Sequence, residues 1–222
     1  MRNLFLILML VMGLVVNAQL VPIRNTAHLA TTTTSYTDDF ESLSTGDLDG
    51  QGGWTVIDGA LVIAEVSSEN VVKGNASFYN AAIYDGTYTA DQYAWDTIYL
   101  TEYASAGPLV LGSAGSGGSY YAYFYNNSGV SSLIRVVNGS ASYIDATGSS
   151  HSDGDVIRIE AEVGASATLI TCYINGVKDS SIGSSGTYSD SNAARLTSGS
   201  PGVFVFENNS VAYSTYSAGG NL

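Results

Sequence analysis

The chain has few cysteines, prolines and basic residues, and each shortage limits what it can be. Its 222 residues include 1 cysteine, 3 prolines and 7 Lys or Arg, against 20 Asp or Glu. The lone cysteine, Cys172, excludes an internal disulfide, and its place in an apolar row predicts a small core residue. The two histidines, His28 and His151, lie far apart in the sequence and give no zinc-ligand spacing. The fold therefore has to rest on an apolar core.

The shortage of basic residues gives a formal net charge of -13 at pH 7. Clusters of Lys or Arg are absent from the sequence. A polyanion such as nucleic acid would be repelled, and counterion release could not drive its binding. We exclude nucleic acid as a partner and interpret the acidity as a source of solubility.

The sequence has one long apolar run, from Leu4 to Val16, and Arg2 precedes it. The run is shorter than the roughly 20 residues that a membrane-spanning helix needs, so no membrane span is expected. It ends in the small-residue exit Val16-Asn17-Ala18, which predicts a signal peptide over residues 1–18 and a secreted, extracellular protein. Residues 19–35 lack any period and predict a flexible lead-in to one domain over residues 36–222.

The remaining chain is rich in glycine and tyrosine and alternates as β-strands do. From Val156 to Val163 the apolar side chains stand on one side of the predicted strand and Arg158, Glu160 and Glu162 on the other. A second apolar row follows, and Asn175-Gly176 then predicts a tight turn. About ten to twelve such strands and almost no helical period predict an all-β, two-sheet antiparallel jelly-roll sandwich.

Short motifs at both ends of the predicted domain carry a family resemblance. They are Asp39-Phe40-Glu41, Gly46-Asp47-Leu48 and Gly50 to Thr55 at the start, and Gly154 to Arg158, Cys172 to Val177 and Ser198 to Val203 later on. From Tyr36 onwards the chain resembles laminin G-like jelly-roll domains of the concanavalin A-like lectin and glucanase superfamily. The resemblance implies two stacked antiparallel sheets, often with a glycan site on the concave face or rim loops, and sometimes a bound calcium.

Aromatic and guanidinium groups on the predicted strands indicate a glycan site, because flat rings stack on sugars and planar polar groups bind hydroxyls. If the strands share one sheet, with Tyr93 and Trp95 on a neighbouring loop, they build a concave floor. The predicted carbohydrate-binding residues are Tyr121, Tyr123, Tyr125, Arg135, Arg158, Tyr173 and Trp95. The expected partner is a glycan or cell-surface polysaccharide.

A hydrolytic site is the enzymatic alternative, since Glu160 and Glu162 share a face as in glucanases similar to family sixteen. The third carboxylate of that motif is missing, because Val163, Gly164 and Ala165 follow. Arg158 also stands beside the pair and can neutralise it. Neither histidine neighbours a nucleophile elbow. We therefore expect no catalytic residues and keep a degenerate hydrolase as an alternative.

A calcium loop is a further hypothesis, drawn from the spacing of Asp47, Asp49, Gln51 and Asp58, with Gly52 at the sixth position of an EF-hand-like loop. The flanking helices of an EF-hand are not predicted here. The same glycines are explained by a tight loop that brings Trp54 into the core. No cofactor is required by the sequence, and calcium is compatible with it.

These observations predict a secreted, non-catalytic carbohydrate-binding or adhesive module. The alternative is a self-assembling extracellular subunit, in which the arm from Gln19 to Ser35 adds a strand to a neighbouring copy.

Overall fold

The computed structural model describes residues 35–76, 78–98, 105–125, 130–145, 149–152, 154–206 and 211–220. The chain divides into residues 1–31 and a compact unit, Thr32–Leu222, which holds every described residue. The predicted signal peptide, nearly all of the lead-in and His28 therefore lie outside the described residues. Among the residues that are described, no helix is long and apolar enough to cross a membrane.

The described residues form strands joined by turns and bends. The strands are β1 (Ser35–Asp38), β2 (Gly46–Asp47), β3 (Trp54–Asp58), β4 (Leu61–Val66), β5 (Glu69–Gly74), β6 (Tyr79–Tyr84), β7 (Gln92–Ile98), β8 (Ser105–Ser113), β9 (Ser119–Tyr125), β10 (Ser131–Val137), β11 (Ser140–Asp145), β12 (Val156–Val163), β13 (Thr168–Ile174), β14 (Val177–Lys178), β15 (Thr187–Asp190), β16 (Ser200–Phe206) and β17 (Val211–Gly220). They outnumber the ten to twelve that the sequence predicts, because several edge strands have only two to four residues.

The hairpin of β12 and β13 forms as its alternation predicts. Ile159 pairs with Cys172, and both are fully buried, whereas Arg158 on the opposite side is half-buried. Asn175 and Gly176 close the β13–β14 turn with φ angles of 50° and 77°, in the left-handed region that this dipeptide adopts readily. The prediction that Cys172 is a small core residue is confirmed.

The pairings between the described strands are antiparallel, and they build two sheets. The ten-stranded sheet has the order β14-β13-β12-β7-β17-β5-β4-β2, with β1 beside β17 and β15 beside β13. The seven-stranded sheet has the order β11-β10-β9-β8-β16-β6-β3. A core of Trp54, Tyr121, Ile159, Tyr216 and their neighbours lies between them. The predicted all-β jelly-roll sandwich is confirmed.

The seven-stranded sheet is apolar on its other face as well and curls toward that face. Tyr120 on β9 donates a hydrogen bond of 3.1 Å to Asp58 Oδ2 on β3, although three strands separate β3 from β9 in the sheet. Phe124 and Phe204 pack within the curl, with ring centroids 4.9 Å apart. Among the described residues, this concave side therefore holds a buried apolar cluster of the chain's own side chains.

Candidate functional site

The polar face of the ten-stranded sheet carries a row of side chains that crosses six strands. Adjacent members are direct partners in the β-ladders, so their side chains stand on the same side of the sheet. From β14 to β1 the row is Lys178, Tyr173, Arg158, Trp95, Ser217 and Thr37. The next row on this face contains Thr171, Glu160, Tyr93 and Gly219. The half-buried residues Tyr93, Trp95, Arg158, Glu160 and Tyr173 are called the Tyr-Arg surface below.

Arg158 is the centre of the Tyr-Arg surface. Its guanidinium carbon lies 4.4 Å from the ring centroid of Tyr93 and 5.9 Å from that of Tyr173. Its Nη2 forms a 2.5 Å ion pair with Glu160 Oε1, and Tyr173 donates a 2.8 Å hydrogen bond to Glu160 Oε2. Burial, helped by the bond to Glu160, raises the pKa of Tyr173 to about 12. The four side chains therefore hold one another in place and present a planar cation between two rings.

Gly219 on β17 allows the Tyr93 ring to lie flat across the neighbouring strand. A Cβ atom at Gly219 would lie 2.6 Å from the hydroxyl oxygen of Tyr93 and 2.8 Å from two of its ring carbons. Such contacts are too short for a real Cβ, so a side chain at this position would push the ring away. The glycine thus positions Tyr93 beneath the guanidinium of Arg158.

An open groove continues the same face toward the end of β12. Its volume is about 370 Å³, and it is lined by Asp91, Glu162, Val163, Gly164, Ser166, Ala167 and Leu169. Asp91 Oδ1 accepts a 2.7 Å hydrogen bond from the backbone N–H of Val163. Glu162 is exposed and stands two residues beyond Glu160, so roughly 6.6 Å separates the two along the strand. A chain-like ligand on the Tyr-Arg surface could extend into this groove.

The expectation that seven predicted residues share one floor is wrong. Tyr121, Tyr123 and Tyr125 lie on β9 of the seven-stranded sheet, where they are 0 %, 0 % and 3 % exposed and face the core between the sheets. Arg135 on β10 belongs to that sheet too, and its Nη1 forms a 2.7 Å ion pair with Asp190. The three tyrosine rings therefore pack in the core, and the charge of Arg135 is neutralised by Asp190. A two-residue period shows which residues share a side of a strand, but not which sheet the strand joins.

Only three predicted residues come together: Trp95, Arg158 and Tyr173. The prediction that Tyr93 and Trp95 lie on a loop is wrong, because both belong to β7, which pairs directly with β12. Glu160, which the sequence offered as half of a catalytic pair, is the acidic member of the same cluster. Gly219 was missed, and only its position opposite Tyr93 in the β7–β17 pairing shows its role.

Two buried carboxylates that the sequence did not single out bind the loops to the core. Asp179 accepts hydrogen bonds from Tyr123 at 2.7 Å, Ser131 at 2.5 Å and Ser149 at 2.8 Å, and from Ser181. Burial alone would raise the pKa of Asp179, but these hydroxyl donors outweigh it and hold the pKa below its usual value. Burial likewise opposes ionisation of Asp190, yet its bonds to Tyr121, Asn192 and Arg135 lower its pKa.

Three of the four polar side chains of the predicted calcium loop, those of Gln51, Asp49 and Asp58, bond to other groups of the chain. Gln51 bonds to the backbone of Ser44 and Asp47, and Asp49 Oδ1 accepts a 2.9 Å bond from the backbone N–H of Val56. Asp58 is the acceptor for Tyr120, as described above. In the part of the chain that the structure describes, no three His, Cys, Asp or Glu side chains gather as a metal site needs. The loop turns tightly through Gly52 and Gly53 and delivers Trp54 into the core.

Comparisons with known proteins give similar folds at low identity. No family model and no curated protein matches the chain. It is similar to the carbohydrate binding module CBM66 from Bacillus subtilis, at 16 % identity over 76 % of this chain and 92 % of that one, with a TM-score of 0.47. It is also similar to the lectin UEA-II complexed with galactose, at 11 % identity over 85 % of this chain and 99 % of that one, with a TM-score of 0.42.

A third similar structure is the xylan beta-1,4-xylosidase from Bacillus halodurans C-125, at 9 % identity. The match covers 82 % of this chain and 38 % of that one, with a TM-score of 0.45. At these identities and TM-scores the likeness assigns no activity to this chain.

Proposed function

We propose that the protein is a secreted, non-catalytic carbohydrate-binding module and that the Tyr-Arg surface is its glycan site. The observation that carries this is a group of half-buried aromatic rings around a paired guanidinium, on an otherwise polar sheet face. Aromatic rings supply flat faces for sugar rings, and a fixed guanidinium and carboxylate supply donors and acceptors for hydroxyls. On the concave side of the other sheet the described aromatic rings of Tyr120, Phe124 and Phe204 are instead buried in a cluster.

The state of the two glutamates supports a binding role over hydrolysis. A glycosidase acid has to stay protonated near neutral pH, which needs a poorly solvated carboxyl. Glu162 is exposed, whereas Glu160 is ion-paired with Arg158 and accepts the hydroxyl of Tyr173. Neither carboxyl has the surroundings of a general acid. Glu160 is instead a fixed acceptor within a binding surface.

The charge of the site favours a neutral glycan. Arg158 is neutralised by Glu160, and Asp91 and Glu162 add negative charge at the end of the same face. The whole chain carries -13, so uronic-acid or sulfated polysaccharides would meet long-range repulsion. The cluster is held by its own ion pair and hydrogen bonds, so binding should need no calcium.

Binding to a panel of neutral and anionic glycans, followed by titration calorimetry, tests the proposal. Trp95→Ala should weaken binding of the best neutral glycan at least fivefold, since a ring contact contributes on the order of 1 kcal/mol. Phe78→Ala is the matched control, because Phe78 is 65 % exposed and directly precedes β6 of the other sheet. Binding of no glycan, or equal affinity in the Trp95 variant and the wild type, would exclude this site.

A further inference from the structure

Strand β11 is an open edge of the seven-stranded sheet. Among the described strands it pairs with β10 alone, and Ser140, Ser142 and Tyr143 are exposed along it. Ser140 to Ile144 form an uncharged run without proline, and Asp145 at its end accepts the backbone N–H of Gly183. An exposed edge of this kind presents unpaired N–H and C=O groups to any other strand.

The other edge strands of the described chain are protected in ways that β11 is not. β1, β2, β3, β14 and β15 also have a single pairing partner there, and each has five residues or fewer, one of them charged, whereas β11 has a run of five uncharged residues before Asp145. On β3 the backbone N–H of Val56 is bonded to the side chain of Asp49. Short length, charge and side-chain bonding are the usual means of blocking strand addition. The six residues of β11 are the longest edge left open.

The β10–β11 turn determines which backbone groups of β11 face outward. Asn138 and Gly139 form a two-residue turn with φ angles of 51° and 77°, so the flanking pair, Val137 and Ser140, is hydrogen-bonded. Hydrogen-bonded and non-bonded pairs alternate along an antiparallel ladder. The backbone N–H and C=O of Ser142 therefore also point toward β10, whereas those of Ala141 and Tyr143 point away from it. The register shifts beyond Tyr143, which limits the regular open edge to these residues.

We propose that β11 pairs with β11 of a second copy of this chain, antiparallel about a two-fold axis through Ser142. Ala141 of each copy then exchanges two hydrogen bonds with Tyr143 of the other, giving four bonds in all. The small Ala141 side chain lies opposite the large Tyr143 ring, and the two Ser142 side chains lie opposite each other on the other face. The two seven-stranded sheets become one continuous sheet.

The register of the open edge argues for a second copy as its partner, because Ala141 and Tyr143 are complementary to each other about a two-fold axis. Two molecules of charge -13 repel each other over most of their surfaces, so association requires a contact without charge. Ser140 to Ile144 provide such a contact, and it is complementary to itself. The strand is only about 20 Å long, which places the interface at the small end of specific contacts. The dimer should therefore depend on concentration.

Sedimentation equilibrium of the purified protein up to roughly 1 mM tests the association. The wild type should show a monomer–dimer equilibrium. Ser142→Lys, which sets two ammonium groups against each other at an exposed position, should raise the dissociation constant at least tenfold. Tyr143→Pro should do the same because it removes an outward N–H and no bond to β10, whereas Tyr143→Ala keeps that N–H and should retain part of the association. Unchanged circular dichroism would show that the variants fold.

Disulfide trapping tests the register itself. Directly opposed, non-bonded residues of two antiparallel strands have Cα atoms about 4.5 Å apart, within disulfide range. Ser142→Cys should therefore cross-link under mild oxidation, while Ser189→Cys, exposed on the edge strand β15, should not. Cys172 is buried and will not compete. A wild type that stays monomeric throughout, or a dimer that survives Ser142→Lys and gives no cross-link in Ser142→Cys, would overturn the proposal.

Discussion

Asp96 on β7 is the direct partner of Tyr216 on β17, and the side chains of both residues are buried in the core without a hydrogen-bond partner in the described part of the chain. Both residues are 0 % exposed. The hydroxyl of Tyr88, which contributes to the raised pKa of Tyr216, also has no hydrogen-bond partner in the described part of the chain. Burial raises the pKa of Asp96 well above its usual value. The carboxyl is therefore kept neutral by its surroundings, and ionising it would destabilise the fold.

Asp96→Asn should stabilise the protein at neutral pH, because an amide does not ionise and so removes the cost of keeping the carboxyl protonated, which is about 1.4 kcal/mol for each pH unit above the unfolded pKa. The folded state holds the Asp96 proton more tightly than the unfolded state does, so stability should fall as pH rises above about 4, the unfolded pKa. Urea unfolding of wild type and variant from pH 4 to 8 measures this. The gain in the free energy of unfolding from Asp96→Asn should grow with pH. Asp39→Asn is the control, because Asp39 is exposed and its replacement should give no such gain.

The opposite dependence is expected for Asp179, whose pKa is lowered in the folded state. Its contribution to stability should be complete above the unfolded pKa of about 4 and should be lost as pH falls below it. Asp179→Asn should cost more than about 2 kcal/mol at pH 7, because charge-assisted bonds from Tyr123 and several serines are weakened together. Urea unfolding at pH 7 and pH 3 measures both effects. A loss of equal size at the two pH values would contradict the role of the charge.

The β12–β13 hairpin was predictable because local signals determine it. Alternation separates Ile157 and Ile159 from Arg158, and Asn175-Gly176 ends β13 at the β13–β14 turn, so the prediction that Arg158 and Tyr173 lie on the polar side is confirmed. Asn138-Gly139 is a local signal of the same kind, and it closes the hairpin of β10 and β11.

The rest of the site depends on sheet order, which the local sequence does not contain. Tyr121, Tyr123 and Tyr125 share one side of β9, but the other side is apolar as well, and both faces of the strand are covered because the seven-stranded sheet curls. Trp95 reaches Arg158 only because β7 pairs with a strand about 60 residues away. Asp179 and Asp190 are polar in the sequence, and their burial follows from long-range contacts with β9 and β10.

Gly219→Ala should weaken glycan binding without touching the ligand. The added Cβ would meet the Tyr93 ring and move it away from Arg158, so one stacking face would be lost. We expect the dissociation constant to rise about fivefold, equivalent to about 1 kcal/mol. Gly115→Ala is the control, since a Cβ there meets nothing within 4 Å. Full affinity in the Gly219 variant would show that the position of Tyr93 does not matter for binding.

Arg158→Lys keeps the positive charge and removes the planar group. A lysine ammonium can still pair with Glu160, but it cannot fill the space between the rings of Tyr93 and Tyr173 as a guanidinium does. Glycan affinity should fall about tenfold, while the free energy of unfolding should change by less than about 1 kcal/mol, because partly exposed ion pairs contribute little. Calorimetric titration and urea unfolding of the same preparation separate the two effects. Arg195→Lys, whose guanidinium contacts the backbone carbonyls of Gly164 and Ala165, should bind as the wild type does. If charge alone were recognised, Arg158→Lys would retain full affinity and the stacked geometry of the Tyr-Arg surface would have no role in binding.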